Sequence, residues 1–179
     1  MERYSIETDR LLLRPFRAED GESLCTILTD PEVCYFEPYD VMTADAAVAE
    51  AAKLAENPDF LAVVERSSGE LVGKLYFSDL KHFGSFEIGY TIARAHWGKG
   101  FAPEAASALM QYAFTQLGVR RIIAEADVRN TRSCRVLEKL GMRREAVFVQ
   151  SAYFQTDETG EPIWSDYASY AILRDEFLK

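Results

Sequence analysis

Between Ser85 and Gly141 the hydrophobic period of the chain switches back and forth, and each switch predicts an element. Phe86, Ile88, Tyr90 and Ile92 alternate with Glu87, Gly89 and Thr91, the period of two expected of a strand with unlike faces. From Pro103 to Leu117 the apolar positions Ala106, Leu109, Met110, Ala113 and Leu117 fall on one helical stripe. Pro103 suits the first helical position, Glu104 the positive end, and Gly118 the exit. Ile122, Ala124, Ala126 and Val128 then alternate with Ile123, Glu125 and Asp127 in a second strand. Asn130 or Thr131 caps a short helix, Arg132 to Leu140, which Gly141 ends. Strand, helix and strand in this order form a right-handed crossover if the strands lie parallel in one sheet.

The flanks read in the same way. Ile6 to Arg14 is a strand ended by Pro15, and Asp20 to Leu28 is a helix broken at Asp30-Pro31. Val33 to Tyr39 is an aromatic connector, followed by an alanine-rich helix, Ala44 to Ala55, capped by Thr43. Phe60 to Arg66 and Glu70 to Ser78 are strands joined by the hairpin turn Ser67-Ser68-Gly69, with a further turn at His82 to Ser85. After Gly141 come a strand from Arg144 to Phe154 and a polar loop from Gln155 to Pro162. Ser165 to Leu173 is the last strand, and Arg174 to Lys179 reads as a frayed end. The sum is an α+β fold, a mixed and largely antiparallel sheet with helices on both faces, in one domain spanning residues 1–179.

Composition mostly excludes. The chain is 48% hydrophobic and 27% charged, as ordinary globular proteins are. A net charge of −9 argues against general nucleic-acid binding; it suits a cationic substrate, or solubility alone. Cys25, Cys34 and Cys134 have neither metal-ligand spacing nor the look of a disulfide framework. Met1-Glu2-Arg3-Tyr4 has no apolar leader core, and no stretch approaches membrane-spanning length. The expectation is a cytoplasmic protein with no metal, no nucleic acid and no membrane as partner.

The candidate chemistry begins between the first of these strands and its helix, at His96-Trp97-Gly98-Lys99-Gly100-Phe101-Ala102. A glycine turn feeding a helix N-terminus gathers backbone N–H groups that lack helical partners, and with the helix dipole these form a site for phosphate. It is no P-loop, because Lys99 lies between the glycines with no Ser or Thr following. Nor is it a dinucleotide fingerprint, since Pro103 stands where the third glycine belongs.

The run E-I-G-Y-T-I…H-W-G-K-G-F-A-P-E-A…N-T-R-S-C-R-V-L-E-K-L-G-M resembles the GNAT acyl-CoA N-acyltransferases. Within them it is most similar to the RimJ/RimL-type acetyltransferases of ribosomal-protein N-termini. The resemblance extends from Thr8-Asp9-Arg10-Leu11 to Asp166 and Tyr170. It implies the GNAT fold, with neighbouring parallel strands that splay to admit acetyl-CoA as co-substrate, and direct transfer to an amine without a covalent enzyme intermediate. A homodimer is what the family suggests.

Carried onto this chain, the resemblance puts pyrophosphate on the backbone of Trp97, Gly98, Lys99, Gly100, Phe101 and Ala102. It puts the pantetheine arm against Ile92 and Ala93, and gives Asn130 a cofactor contact beside its capping role. The family pattern Gln/Arg-x-x-Gly-x-Gly/Ala is broken at its first position by Ala95, which removes a side chain from a grip that is mostly main chain.

Transfer from a thioester to an amine needs a base for the amine, a donor for the oxyanion and a proton for the leaving thiolate. Glu87 matches the general-base position of some relatives, with Glu125 and Asp127 as rivals; a solvated carboxylate or an ion pair is the plainer reading. Many relatives carry a tyrosine acid seven residues after Asn130, where this chain has Leu137. Ser133 matches the serine of the RimJ/RimL-like branch and is the alternative acid, unless it bonds only to its own helix. Tyr35, Phe36, Glu37 and Tyr39 either cage the acceptor's ammonium group or pack as core. The acceptor itself stays open between a protein N-terminus and a small amine such as a polyamine or aminoglycoside, and a non-catalytic acyl-CoA-binding module competes with both.

Overall fold

The chain opens as a hairpin where the pattern predicted one strand. In the computed structural model, which describes residues 4–179, β1 (Ile6–Glu7) folds back antiparallel onto β2 (Leu11–Pro15). Met1 to Arg3, part of the stretch read as lacking an apolar leader, lie outside the described residues. The reversal is local: the Thr8 hydroxyl accepts from the Leu11 N–H at 2.8 Å, a side-chain bond that competes with a straight strand.

A 3-10 turn at Ala18–Asp20 leads into α1 (Gly21–Leu28). One further turn of helix, α2 (Pro31–Cys34), follows where only a break was expected, started by Asp30, which accepts from the Glu32 N–H at 2.9 Å. Next come α3 (Ala44–Glu56), capped by Thr43 as predicted, β3 (Phe60–Glu65) and β4 (Leu71–His82), which runs past its predicted end at Ser78. They are followed by β5 (Ser85–Ile92), α4 (Phe101–Gln116), β6 (Arg121–Asp127) and α5 (Thr131–Lys139). The chain closes with β7 (Arg143–Ala152), β8 (Ser165–Leu173) and α6 (Arg174–Phe177). Helix α4 begins at Phe101 rather than Pro103; a proline within the first turn removes no hydrogen bond, because those N–H groups have no helical acceptor. The predicted frayed end is helical because the Glu176 carboxylate accepts from the Leu173 N–H at 2.8 Å.

The strands form one sheet in the order β1-β2-β3-β4-β5-β6-β8-β7. Every pair is antiparallel except β5 and β6, which α4 joins as the predicted crossover. The parallel register covers only Ser85–Arg121, Phe86–Ile122 and Glu87–Ile123, although β5 continues to Ile92 and β6 to Asp127. From Ile88 and Ala124 onward the two strands are unpaired with each other, and the sheet has an internal gap.

Helices cover both faces. On one, Phe101, Leu109, Phe114 and Leu137 of α4 and α5 pack against Ile88, Ile122 and Tyr170 of the sheet. On the other, Leu24, Ile27, Ala47 and Ala51 of α1 and α3 pack against Ala62 and Val64, toward the β2–β4 side. Helix α5 ends as Gly141 predicted: its φ of +78° lets the Gly141 N–H reach the Glu138 carbonyl and the Met142 N–H reach Leu137. At the edge, β7 is bent at Gln150, whose N–H is held by Asp166 Oδ1 at 2.8 Å where the register with β8 shifts. Among the described residues no helix is long and apolar enough to cross a membrane.

Candidate active site

The glycine turn sits at the open end of β5. Gly98 and Gly100 have φ of +77° and +81°, in the left-handed region that glycine enters without a Cβ penalty. Gly100 caps α4 with no side-chain bond, so the first-turn N–H groups of Phe101 and Ala102 are left for a ligand. The Trp97 N–H, by contrast, is taken by the Arg94 carbonyl at 3.1 Å.

Two side-chain systems hold the turn. Arg10, from the β1–β2 turn, donates to the Lys99 carbonyl at 2.9 Å and to Glu104 Oε2 at 2.7 Å, while the Thr8 hydroxyl donates to Glu104 Oε1 at 2.6 Å. Burial alone would raise the Glu104 carboxyl, but these donors outweigh it and hold its pKa below the usual range. Glu104 therefore clamps the first hairpin to the glycine turn, beyond the dipole role its position suggested. Lys99 donates to His96 Nδ1 at 3.2 Å, which leaves Nε2–H for Glu70 at 3.2 Å; His96 is 6% exposed and stacks on Phe101. His96 is thus a buried link between Lys99 and Glu70.

The edge of β5 along the gap is set by its ladder with β4. The Ala93 N–H goes to the Val72 carbonyl at 2.9 Å, and in an antiparallel ladder the next residue, Ile92, then points its N–H and C=O the other way, toward the gap. The Ile92 carbonyl is already bound by Trp97 Nε1 at 2.8 Å, which leaves its N–H. Both polar backbone groups of Ala93 have partners, the carbonyl accepting from His96 N–H at 2.9 Å. Ile92 therefore offers the gap a free backbone donor, and Ala93 does not.

Across the gap, Asn130 caps α5, its Oδ1 accepting from the Ser133 N–H at 3.1 Å. Ser133 does not turn back on its own helix: its hydroxyl lies 3.0 Å from the Tyr90 hydroxyl on β5. Leu137, where many relatives carry a tyrosine, is fully buried in the core.

On the opposite face of the sheet, Glu87 is half-buried beside the last parallel pair. Burial raises its pKa, and the like charge of Glu125 adds to the rise. Its rival Asp127 is committed: burial would raise its carboxyl, but bonds from Arg129 (Nη2 to Oδ2 at 2.6 Å) and Ser165 hold it below the usual range. Arg129 also contacts the Ser165 hydroxyl.

The aromatic connector crosses the same face. Glu37 Oε1 accepts from the Thr91 hydroxyl at 3.0 Å, and its Oε2 lies 4.0 Å from Lys74 Nζ, which sits 4.5 Å from the centre of the Tyr39 ring. Lys74 is buried, and desolvation lowers its pKa against the pull of Glu37. Sequence reading missed Lys74, Thr91 and Arg129; a lysine inside the apolar run Leu71-Val72-Gly73-Lys74-Leu75 was the available signal. Tyr35 and Phe36 line a small cleft with Arg129, Phe154 and Tyr167. Tyr170 is 1% exposed and packs in the core.

The profile of the acetyltransferase (GNAT) domain matches residues 10–143. YnaD of Bacillus subtilis, named as an uncharacterised N-acetyltransferase, is 34% identical over 175 residues, covering 96% of this chain and 98% of its own. YdaF of the same organism, named as a putative ribosomal N-acetyltransferase, is 36% identical over 110 residues, 61% of this chain and 57% of its own. The crystal structure of a GNAT-family acetyltransferase from Bacillus anthracis superposes with a TM-score of 0.86 at 32% identity, covering 97% of this chain and all (100%) of that one.

Proposed function

The chain belongs to the GNAT acetyltransferase family, and from that premise we propose that residues 1–179 act as one domain that transfers acetyl from acetyl-CoA directly to the N-terminal amine of a protein, in the RimJ/RimL manner. The observation that carries this reading is the end of the β5–β6 pairing at Glu87 and Ile123. It leaves a slot through the sheet with an anion-ready glycine turn at its end on the α4 side and carboxylates on the other face.

Each group then has a task. The N–H groups from Gly98 to Ala102, with the dipole of α4, suit the pyrophosphate of the co-substrate. The gap-facing N–H of Ile92 is a donor for the arm or for the oxyanion that develops on the thioester carbonyl. Asn130 fixes the start of α5 and with it Ser133, which faces the gap as donor to the departing thiolate. Glu87 takes the proton of the attacking amine, directly or through water; its raised pKa brings a carboxylate closer to that work. With both substrates in place, positioning supplies much of the acceleration, and no covalent enzyme intermediate is needed.

The acceptor side of the slot is the far face. The cleft walled by Tyr35, Phe36, Phe154 and Tyr167 offers aromatic side chains to an acceptor at the surface, and YdaF carries a ribosomal name. A small polyamine is the second reading, favoured by the carboxylates of Glu37, Glu87 and Glu125 on one face. Thiol release from acetyl-CoA, measured against peptides beginning Ala or Ser beside spermidine, an aminoglycoside and single amino acids, separates them. Turnover confined to peptides supports the N-terminal reading, and turnover confined to spermidine replaces it with the second.

A further inference from the structure

The hydroxyl of Tyr90 lies 3.0 Å from Ser133 Oγ and 3.1 Å from the Ser133 carbonyl oxygen, so its single proton can be turned to either. Tyr90 alternates with Gly89 and Thr91 on β5, so it stands on the face packed by α5 and reaches the first turn of that helix from the opposite wall of the gap. Its own backbone groups, two residues before Ile92, point into the gap as those of Ile92 do. Phenol and serine thus form a hydroxyl pair across the slot. The titratable groups beside them are Cys134 and Tyr170.

A serine alone is a poor acid for a thiolate. An alkanol O–H is about as weak an acid as water, far weaker than a thiol or a phenol. A thiol lies near about 8.5 and a phenol near about 10. A serine can offer a hydrogen bond, yet completing the transfer would leave an alkoxide. A phenol behind it lowers that cost, because the serine receives one proton as it gives up another and the charge ends on a phenolate rather than an alkoxide, although burial raises the Tyr90 phenol above its ordinary value. Leu137, buried in the core, denies α5 its own phenol.

We propose that Tyr90 supplies, through Ser133, the proton that the departing thiolate takes, so that β5 provides the phenol that α5 lacks. The step balances. The amine nitrogen bonds to the thioester carbon, the C–S bond breaks with its electron pair on sulfur, and Ser133 O–H protonates sulfur while Tyr90 O–H restores the serine. The phenolate recovers its proton through solvent from the amine, which loses one on acylation. This inference rests on the acetyl-transfer reading.

Tyr90→Phe keeps the ring and removes the hydroxyl. It should lower kcat for thiol release by about 10²-fold, with CoA affinity measured by calorimetry unchanged within about threefold, a loss of under 1 kcal/mol. Ser133→Ala should lose a similar amount, and the double variant no more than either alone, because groups acting as one relay are not additive. A purely packing role for Tyr90 would multiply the two losses and overturn the relay. So would a Tyr90→Phe variant with wild-type kcat. If that variant fails to fold, kcat of the wild-type protein in mixtures of H2O and D2O decides. A curved dependence on deuterium fraction supports two protons in flight, and a linear one overturns the proposal. Wild-type protein that releases no thiol with any amine overturns acetyl transfer and the relay together; wild-type turnover that survives Tyr90→Phe overturns the relay alone.

Discussion

Trp97 Nε1 donates to the Ile92 carbonyl at 2.8 Å, and the Arg132 guanidinium carbon lies 4.2 Å from the centre of the same indole. One side chain of the glycine turn therefore ties the end of β5 to the start of α5, the two walls of the gap. Trp97→Phe keeps a ring for Arg132 but loses the bond to β5. A net cost of about 1 kcal/mol should appear as a lower denaturation midpoint and as roughly fivefold weaker CoA binding. The only other tryptophan is Trp164, so in a Trp164→Phe background the indole emission reports this residue alone during a CoA titration.

Gly100→Ala tests the turn itself. A Cβ there would meet Arg10 Nη2 at 3.5 Å, an ordinary contact, so the penalty is the left-handed φ of +81° rather than a collision. A strain of about 1–2 kcal/mol is relieved by turning the peptide away, which should cost CoA affinity at least as much as stability. A variant that binds CoA as wild type does would remove the glycine turn from the site.

Glu87→Gln should lower kcat by about 10²-fold and abolish the acidic limb of the pH–rate profile. Because burial and Glu125 both raise the Glu87 carboxyl, that limb should lie above the usual glutamate range in wild type. Removing the like charge with Glu125→Gln lowers the Glu87 pKa and moves the limb to lower pH. An unaltered profile in Glu87→Gln would pass the base role to another group or to water.

Away from the site, Arg14 and Asp20 form a buried two-bond pair at 2.8 and 2.6 Å that joins β2 to the entry of α1. Burial opposes the Asp20 charge, yet bonds from Arg14 and Arg17 outweigh it and lower its pKa. A folded pKa below the unfolded one gives stability that is present above the ordinary aspartate value and is lost as pH falls through the folded value. Asp20→Asn should cost on the order of 3 kcal/mol at pH 7. Urea midpoints of variant and wild type should converge in strong acid, and a pH-independent gap would mean that the charge is not what is lost.

The alternation in β5 and β6, the stripe of α4, the Asn130 and Thr43 caps and the Gly141 stop were all legible, because they depend on backbone preferences acting over a few residues. The β1–β2 hairpin was not, because its cause is one hydroxyl bond of Thr8 that strand-like neighbours conceal. Likewise Ser133 could be named a candidate from sequence, whereas its contact with Tyr90 was not legible there.

By itself, then, the sequence determined most of the elements, the glycine turn, and the absence of a phenol at Leu137, each a matter of local chain chemistry. Tertiary structure alone decided where the parallel pairing stops, that Glu104 clamps Arg10, that Thr91 holds Glu37, and that Tyr90 meets Ser133. Those partners stand 94, 54 and 43 residues apart along the chain. No periodicity extends so far; only the register of a sheet packed by helices on both faces brings such groups within a hydrogen bond of one another.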